Sequence, residues 1–134
     1  MQYEAQKYMP HRPEMAMVDA IVIEEGRRFA RTTIREDNLF LRPDGTLDNA
    51  ALPEIAAQGC AAYDGIERRG DIRPGLLAAI RNVRFHSPVR LHDTIRVEAE
   101  EETPLDGWRI ATFRVYRESD NMLCAEGQLN LCIL

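Results

Sequence analysis

Lysine is nearly absent from the 134 residues: Lys7 stands alone against sixteen arginines, a bias that fits either anion recognition or codon usage. Positive charge is not in excess, because Asp and Glu bring the net charge to −5, which argues against nucleic acid as the main partner. No apolar run is long enough to span a bilayer, and the opening MQYEAQKYMPHRPEM has no signal-peptide core. A cytoplasmic protein without membrane insertion is therefore expected. Cysteine is scarce too. Cys60, Cys124 and Cys132 form an odd set without metal-type spacing, so they read as reduced, buried small residues, and no metal site is expected. Repeats, linkers and low-complexity tracts are missing, and the length suits one domain over residues 1–134 that buries roughly two thirds of its unfolded surface.

What is present is one long helical signal, from Asp48 to Gly65. Asp48 and Asn49 are good N-caps, Pro53 is tolerated only in a first turn, and Gly65 suits a C-terminal stop. Ala50, Ala51, Ala56, Ala57, Gly59 and Cys60 keep the helix small nearly all round, the mark of a buried helix. Glu54 and Gln58 nevertheless sit inside it, one turn apart on one face. A carboxylate in such a setting has to be paired, neutralised or used.

The rest of the chain reads as strands and turns. Met15 to Ile23 is apolar and β-leaning, Glu24 to Arg27 is a turn, and Phe29 to Ile34 alternates as a second strand. After the helix come strand signals from Leu76, from Asp93 to Glu101, from Trp108 to Arg117 and from Met122 to Leu134. Pro88 implies a bend or edge, and turns fall at Pro104-Leu105-Asp106-Gly107 and Ser119-Asp120-Asn121. The order predicts an α+β fold, a mostly antiparallel sheet that curls around one central helix.

Three segments carry a family resemblance. Pro10 to Asp19, with its Pro-His-Arg opening and Val18-Asp19 close, is similar to the start of the hotdog-fold 3-hydroxyacyl-[acyl-carrier-protein] dehydratases. Glu54-Ile55-Ala56-Ala57-Gln58 resembles the Glu-x-x-Ala-Gln signature of their central helix, and Arg84-Phe85-His86-Ser87-Pro88-Val89 resembles their Arg-Phe-x-x-Pro-Val segment. The chain looks most like the short members assigned to aryl-polyene-type pathways. The resemblance implies a hotdog fold, a homodimer, an acyl-carrier protein as partner, and a substrate carried on phosphopantetheine with no cofactor of the enzyme's own. Two departures stand out. The family's loop His is missing from Phe40 to Leu47, and Asn49-Ala50-Ala51 replaces the Gly whose N–H meets the thioester oxygen.

Eliminating water from a 3-hydroxyacyl thioester needs a base for the α-proton, an acid for the departing hydroxyl and donors for the enolate-like oxygen. Glu54 is the candidate acid, if burial raises its pKa. The base must be His11, His86 or His92, and His11 is chosen because it lies in the Pro-His-Arg motif. The first-turn N–H groups at Asn49 and Ala50 are the candidate oxyanion donors, with Gln58 and Arg84 as further substrate-binding residues. A bland reading exists for each. Glu54 then only favours the helix dipole, Gln58 only ties the helix to a loop, and Arg81, Arg84 and Arg90 only solvate a strand face. Two functional alternatives stand beside dehydration: a thioesterase on the same fold, and a non-catalytic acyl-binding or scaffold subunit.

Overall fold

The computed structural model describes residues 1–105 and 107–133. The turn expected at 104–107 therefore has Asp106 outside the described residues. The elements run β1 (Gln2–Glu4), a 3-10 turn (Ala5–Lys7), β2 (Ala20–Glu24), β3 (Arg27–Thr33), α1 (Ala51–Glu67), β4 (Gly75–Phe85), β5 (Thr94–Leu105), β6 (Trp108–Arg117) and β7 (Met122–Ile133). One seven-stranded sheet has the order β1-β2-β3-β5-β6-β7-β4, and each neighbouring pair is antiparallel. The inner face of that sheet holds α1. Ile21, Ile95, Phe113, Val115 and Leu129 from the strands meet Leu52 and Ile55 of the helix in the fully buried core. This is the hotdog arrangement the resemblance implied.

The start of α1 lies within a residue or two of its expected place, but its capping differs. Ala50 is the cap position, and the Asp48 carboxylate accepts from the Ala50 N–H at 2.9 Å. That hydrogen bond holds the Asp48 carboxyl below the usual carboxylate range. Pro53 sits in the first turn as expected. Gly65, by contrast, does not end the helix, which continues to Glu67. Arg69 (φ 56°) and Gly70 (φ 90°) make the stop, with the Arg69 N–H bonded to the Ile66 carbonyl and the Gly70 N–H to the Gly65 carbonyl.

Two further expectations are corrected. Met15 to Val18 is not part of the first strand, which starts only at Ala20. The short polar opening segment supplies edge strand β1 and the 3-10 turn, whose Ala5 is wholly buried. Of the cysteines, Cys60 and Cys124 are buried while Cys132 is only half-buried. Burial pushes the Cys60 thiol far up, away from thiolate reactivity.

The C-terminal half of α1 is tied to the sheet by an alternating chain of charges. Arg28 meets Glu101 at 2.6 Å, Arg109 lies 3.9 Å from Glu101 and 2.7 Å from Asp64, and Arg68 approaches Asp64 at 3.0 Å. The Arg28 guanidinium also stacks 3.7 Å from the Tyr63 ring centroid. Asp64 is the hub, with its side chain only 6% exposed. Asp64→Asn keeps the shape but leaves Arg68 without its counter-charge and Arg109 with only the 3.9 Å approach to Glu101. Because both arginines retain some water, the expected loss is about 2 kcal/mol of folding stability, read as a lower urea midpoint at unchanged slope. An unchanged midpoint would reduce the charge chain to a surface network.

Candidate active site

Residues 11–17 cross the inner face of the sheet beside the first turns of α1. Their backbone groups are bound by side chains instead of by a neighbouring strand. Gln58 is the main clamp, and it is 1% exposed. Its Oε1 accepts from the Met17 N–H at 2.7 Å, and its Nε2 donates to the Met15 carbonyl at 3.0 Å and to Glu54 Oε1 at 3.1 Å. Behind that, the Thr32 hydroxyl donates to the Met17 carbonyl. A turn closed by the Ala16 N–H on the Arg12 carbonyl at 3.0 Å then carries the chain back to His11.

The result brings the two principal sequence candidates together within one chain. His11 Nε2 lies 3.8 Å from Glu54 Oε1, with side chains 29% and 35% exposed. That separation is too long for a direct hydrogen bond and leaves both groups able to face a third one. The His11 Nδ1 is buried without a partner among the described residues. Glu54 is thus less enclosed than a helix of alanines suggested. It stands at the wall of a cavity of about 590 Å³ lined also by Met15, Met17, Phe40, Ala50 and Gln58.

The other candidates divide. Ala50 lines the cavity; Asn49 does not line it and is solvent-exposed. Of the donors at the helix start, those of Ala50, Ala51 and Leu52 are already used. Asp48 takes the Ala50 N–H on its carboxylate and the Ala51 N–H on its carbonyl, Asn49 takes the Leu52 N–H, and Pro53 has none to give. Gln58 touches the cavity, but both its amide hydrogens go to the protein. Arg84 is not brought to the site in this chain. It stands exposed on β4, in register with Glu126. His86 pairs with Glu126 at 2.8 Å on the surface, and His92 is exposed at a turn with φ 72°. Missed from the sequence were Thr32, which reads there as an ordinary β-branched strand residue, and Asp19, whose carboxylate accepts from the Thr33 N–H and from Arg35. Among the described residues no group of three or more His, Cys, Asp or Glu side chains is arranged to hold a metal ion.

Fold and site together define a hotdog protein in which His11 approaches Glu54, and Glu54 lines a cavity of mixed polar and apolar character. The model of the ApeP-like family, described as ApeP dehydratase, matches residues 3–133, and the chain belongs to that family. It is a dehydratase. Solved structures agree in fold. The dehydratase heterocomplex ApeI:P from Xenorhabdus doucetiae superposes with a TM-score of 0.86 at 18% identity, covering 98% of this chain and 91% of that one. The protein smu.793 from Streptococcus mutans, bound to acetyl CoA, gives 0.63 at 10% identity over 85% and 86% of the two chains. Zebra fish thioesterase superfamily member 2 gives 0.60 at 16% identity over 88% and 81%. No curated protein sequence matches the chain.

Proposed function

We propose that the chain, acting as one hotdog domain over residues 1–134, converts a 3-hydroxyacyl thioester to the trans-2-enoyl thioester with His11 as base and Glu54 as acid. The observation that carries this reading is the 3.8 Å approach of His11 Nε2 to Glu54 Oε1, with Glu54 lining the cavity. In the reaction His11 Nε2 removes the α-proton, the electron pair forms the C2–C3 double bond, and the C3–O bond breaks. Glu54 gives its proton to the departing hydroxyl, so that water leaves. The proton then held by His11 returns to the Glu54 carboxylate and resets the pair. The Gln58 amide, donating to Oε1, leaves Oε2 free to carry the transferred proton.

The substrate in this reading arrives on the phosphopantetheine arm of an acyl-carrier protein in the cytoplasm, as in fatty-acid-like or aryl-polyene synthesis, and the enzyme needs no cofactor of its own. Among the described residues no helix is long and apolar enough to cross a membrane. A second subunit completes the particle along β4. That strand ends the sheet, and it exposes Leu76, Ile80 and Phe85 at 60%, 50% and 44%. An apolar outer strand of this kind calls for a partner. A copy of this chain gives a twofold dimer, and the heteromeric relative from X. doucetiae favours a second reading, a different chain of the same fold. Mass measurement of the purified protein in solution distinguishes them; a stable lone monomer at micromolar concentration would favour the different chain.

The test of function is incubation with a 3-hydroxyacyl-carrier protein, following the loss of one water by mass. Free acid released in its place would point to the thioesterase alternative. An unchanged substrate, with the second subunit supplied, would point to an acyl-binding role. In the same assay His86→Asn and His92→Asn should stay within about twofold of the parent, because His86 is paired with Glu126 on the surface and His92 is exposed at a turn. A large loss from either would move the base away from His11.

A further inference from the structure

Thr32 lies on the inner face of β3 and is 2% exposed, with its hydroxyl donated to the Met17 carbonyl. The peptide groups of Met17 are held from opposite sides. Its N–H goes to Gln58 Oε1 at 2.7 Å, on the helix, and its carbonyl receives the Thr32 hydroxyl, on the sheet. No strand partner holds this stretch, since β2 begins only at Ala20. On the carbonyl side of Met17, the Thr32 hydroxyl is the one side-chain donor among the described residues, with the Asp19 carboxylate as its longer second acceptor at 3.4 Å. The effects run two ways along the chain. Through Gln58, the orientation of Met17 sets the amide that donates to Glu54 Oε1 at 3.1 Å. Through Ala16, whose N–H closes on the Arg12 carbonyl at 3.0 Å, it sets the turn that follows His11. Asp19 steadies the same layer from below, accepting from the Thr33 N–H at 2.8 Å and from Arg35 at 3.0 Å.

We infer that Thr32 is a positioning residue for the dehydration, its hydroxyl fixing through Met17 and Gln58 the separation between His11 and Glu54. The inference rests on the assignment of those two as base and acid. If the peptide carrying the Met17 carbonyl turns, the Met17 Cα and its N–H shift with it, the hydrogen bond to Gln58 Oε1 is weakened, and the Glu54 carboxylate follows the loosened amide. A shift well under an ångström in a proton-transfer pair lowers turnover without changing how the thioester binds.

The test is Thr32→Val, which keeps the β-branched shape and deletes the hydroxyl, assayed beside Thr32→Ser and Glu54→Gln. Thr32→Val should lower kcat about tenfold at unchanged KM, and Thr32→Ser should recover most of it. The double variant Thr32→Val/Glu54→Gln should be no slower than Glu54→Gln alone, because the hydroxyl acts through the carboxylate. Thr32→Val at parental kcat, beside an inactive Glu54→Gln, would overturn the inference and leave the acid–base assignment standing. An active Glu54→Gln would instead remove the assignment itself. Should Thr32→Val fail to fold, Thr32→Cys is read the same way. A multiplicative loss in the double variant would make Thr32 a purely structural hydrogen-bonder.

Discussion

Glu54→Gln should cost roughly a hundredfold or more in dehydratase turnover while the protein melts normally. The change is nearly isosteric, and the Gln58 Nε2 that now meets Glu54 Oε1 at 3.1 Å can meet an amide oxygen equally well. What disappears is the transferable proton. The side chain is 35% exposed at the cavity wall, so no buried charge is being created or removed. His11→Asn should behave alike. Its Nε2 has only the 3.8 Å approach to Glu54, and its Nδ1 has no partner among the described residues, so the substitution breaks no hydrogen bond of the fold. The two losses should not multiply, since a base without its acid is already idle. Turnover within tenfold of the parent for Glu54→Gln would return Glu54 to the role of a carboxylate favouring a helix start.

The second large effect is on stability. Gly65→Ala replaces a helix-interior glycine, which on propensity alone gains about 1 kcal/mol. Here the sign reverses. A Cβ at Gly65 would stand 2.1 Å from the Tyr8 carbonyl oxygen and 3.0 Å from its carbon, and a backbone neighbour cannot swing aside as a side chain does. Relief requires lifting the 3-10 turn and its buried Ala5 from the helix. The expected net loss is about 3 kcal/mol or more, seen as a fall of about 10 °C in Tm. Activity should fall further than stability explains, because Tyr8 is followed closely by His11. A Tm equal to the parent's would mean that the segment before His11 yields freely.

Much of this was legible from residue order, and the failures have identifiable causes. The helix and the antiparallel strands are local patterns, so they survive without knowledge of the packing, whereas the approach of His11 to Glu54 is set by the fold and is not readable from residue order. Met15 to Val18 has the apolar character of a strand, but its hydrogen bonds go to Gln58 and Thr32, a competition invisible in periodicity. Gly65 looked like a terminator because glycine is permissive; its actual use is a close approach to Tyr8, which only the tertiary structure reveals. The helix start looked like an oxyanion site, yet Asp48 and Asn49 satisfy its N–H groups locally. The charge chain joins residues 28, 64, 68, 101 and 109, and apart from the Asp64–Arg68 pair one helical turn apart its members are too distant in sequence for any spacing rule.

An alanine-rich helix has a weakness that its two polar attachments answer. Side chains this short interlock poorly with a sheet, so turning α1 about its own axis, or sliding it by a residue, exchanges one set of shallow contacts for another of similar worth. Gln58 and Asp64 are six residues apart, which places them about 120° from each other around the helix. One is fastened to the segment before β2, the other to Arg109 of β6. Two fastenings on different sides leave a cylinder a single orientation, where one alone would act as a pivot. Apolar burial makes the helix stay. The amide and the carboxylate decide which way it faces, and with it where the Glu54 side chain points.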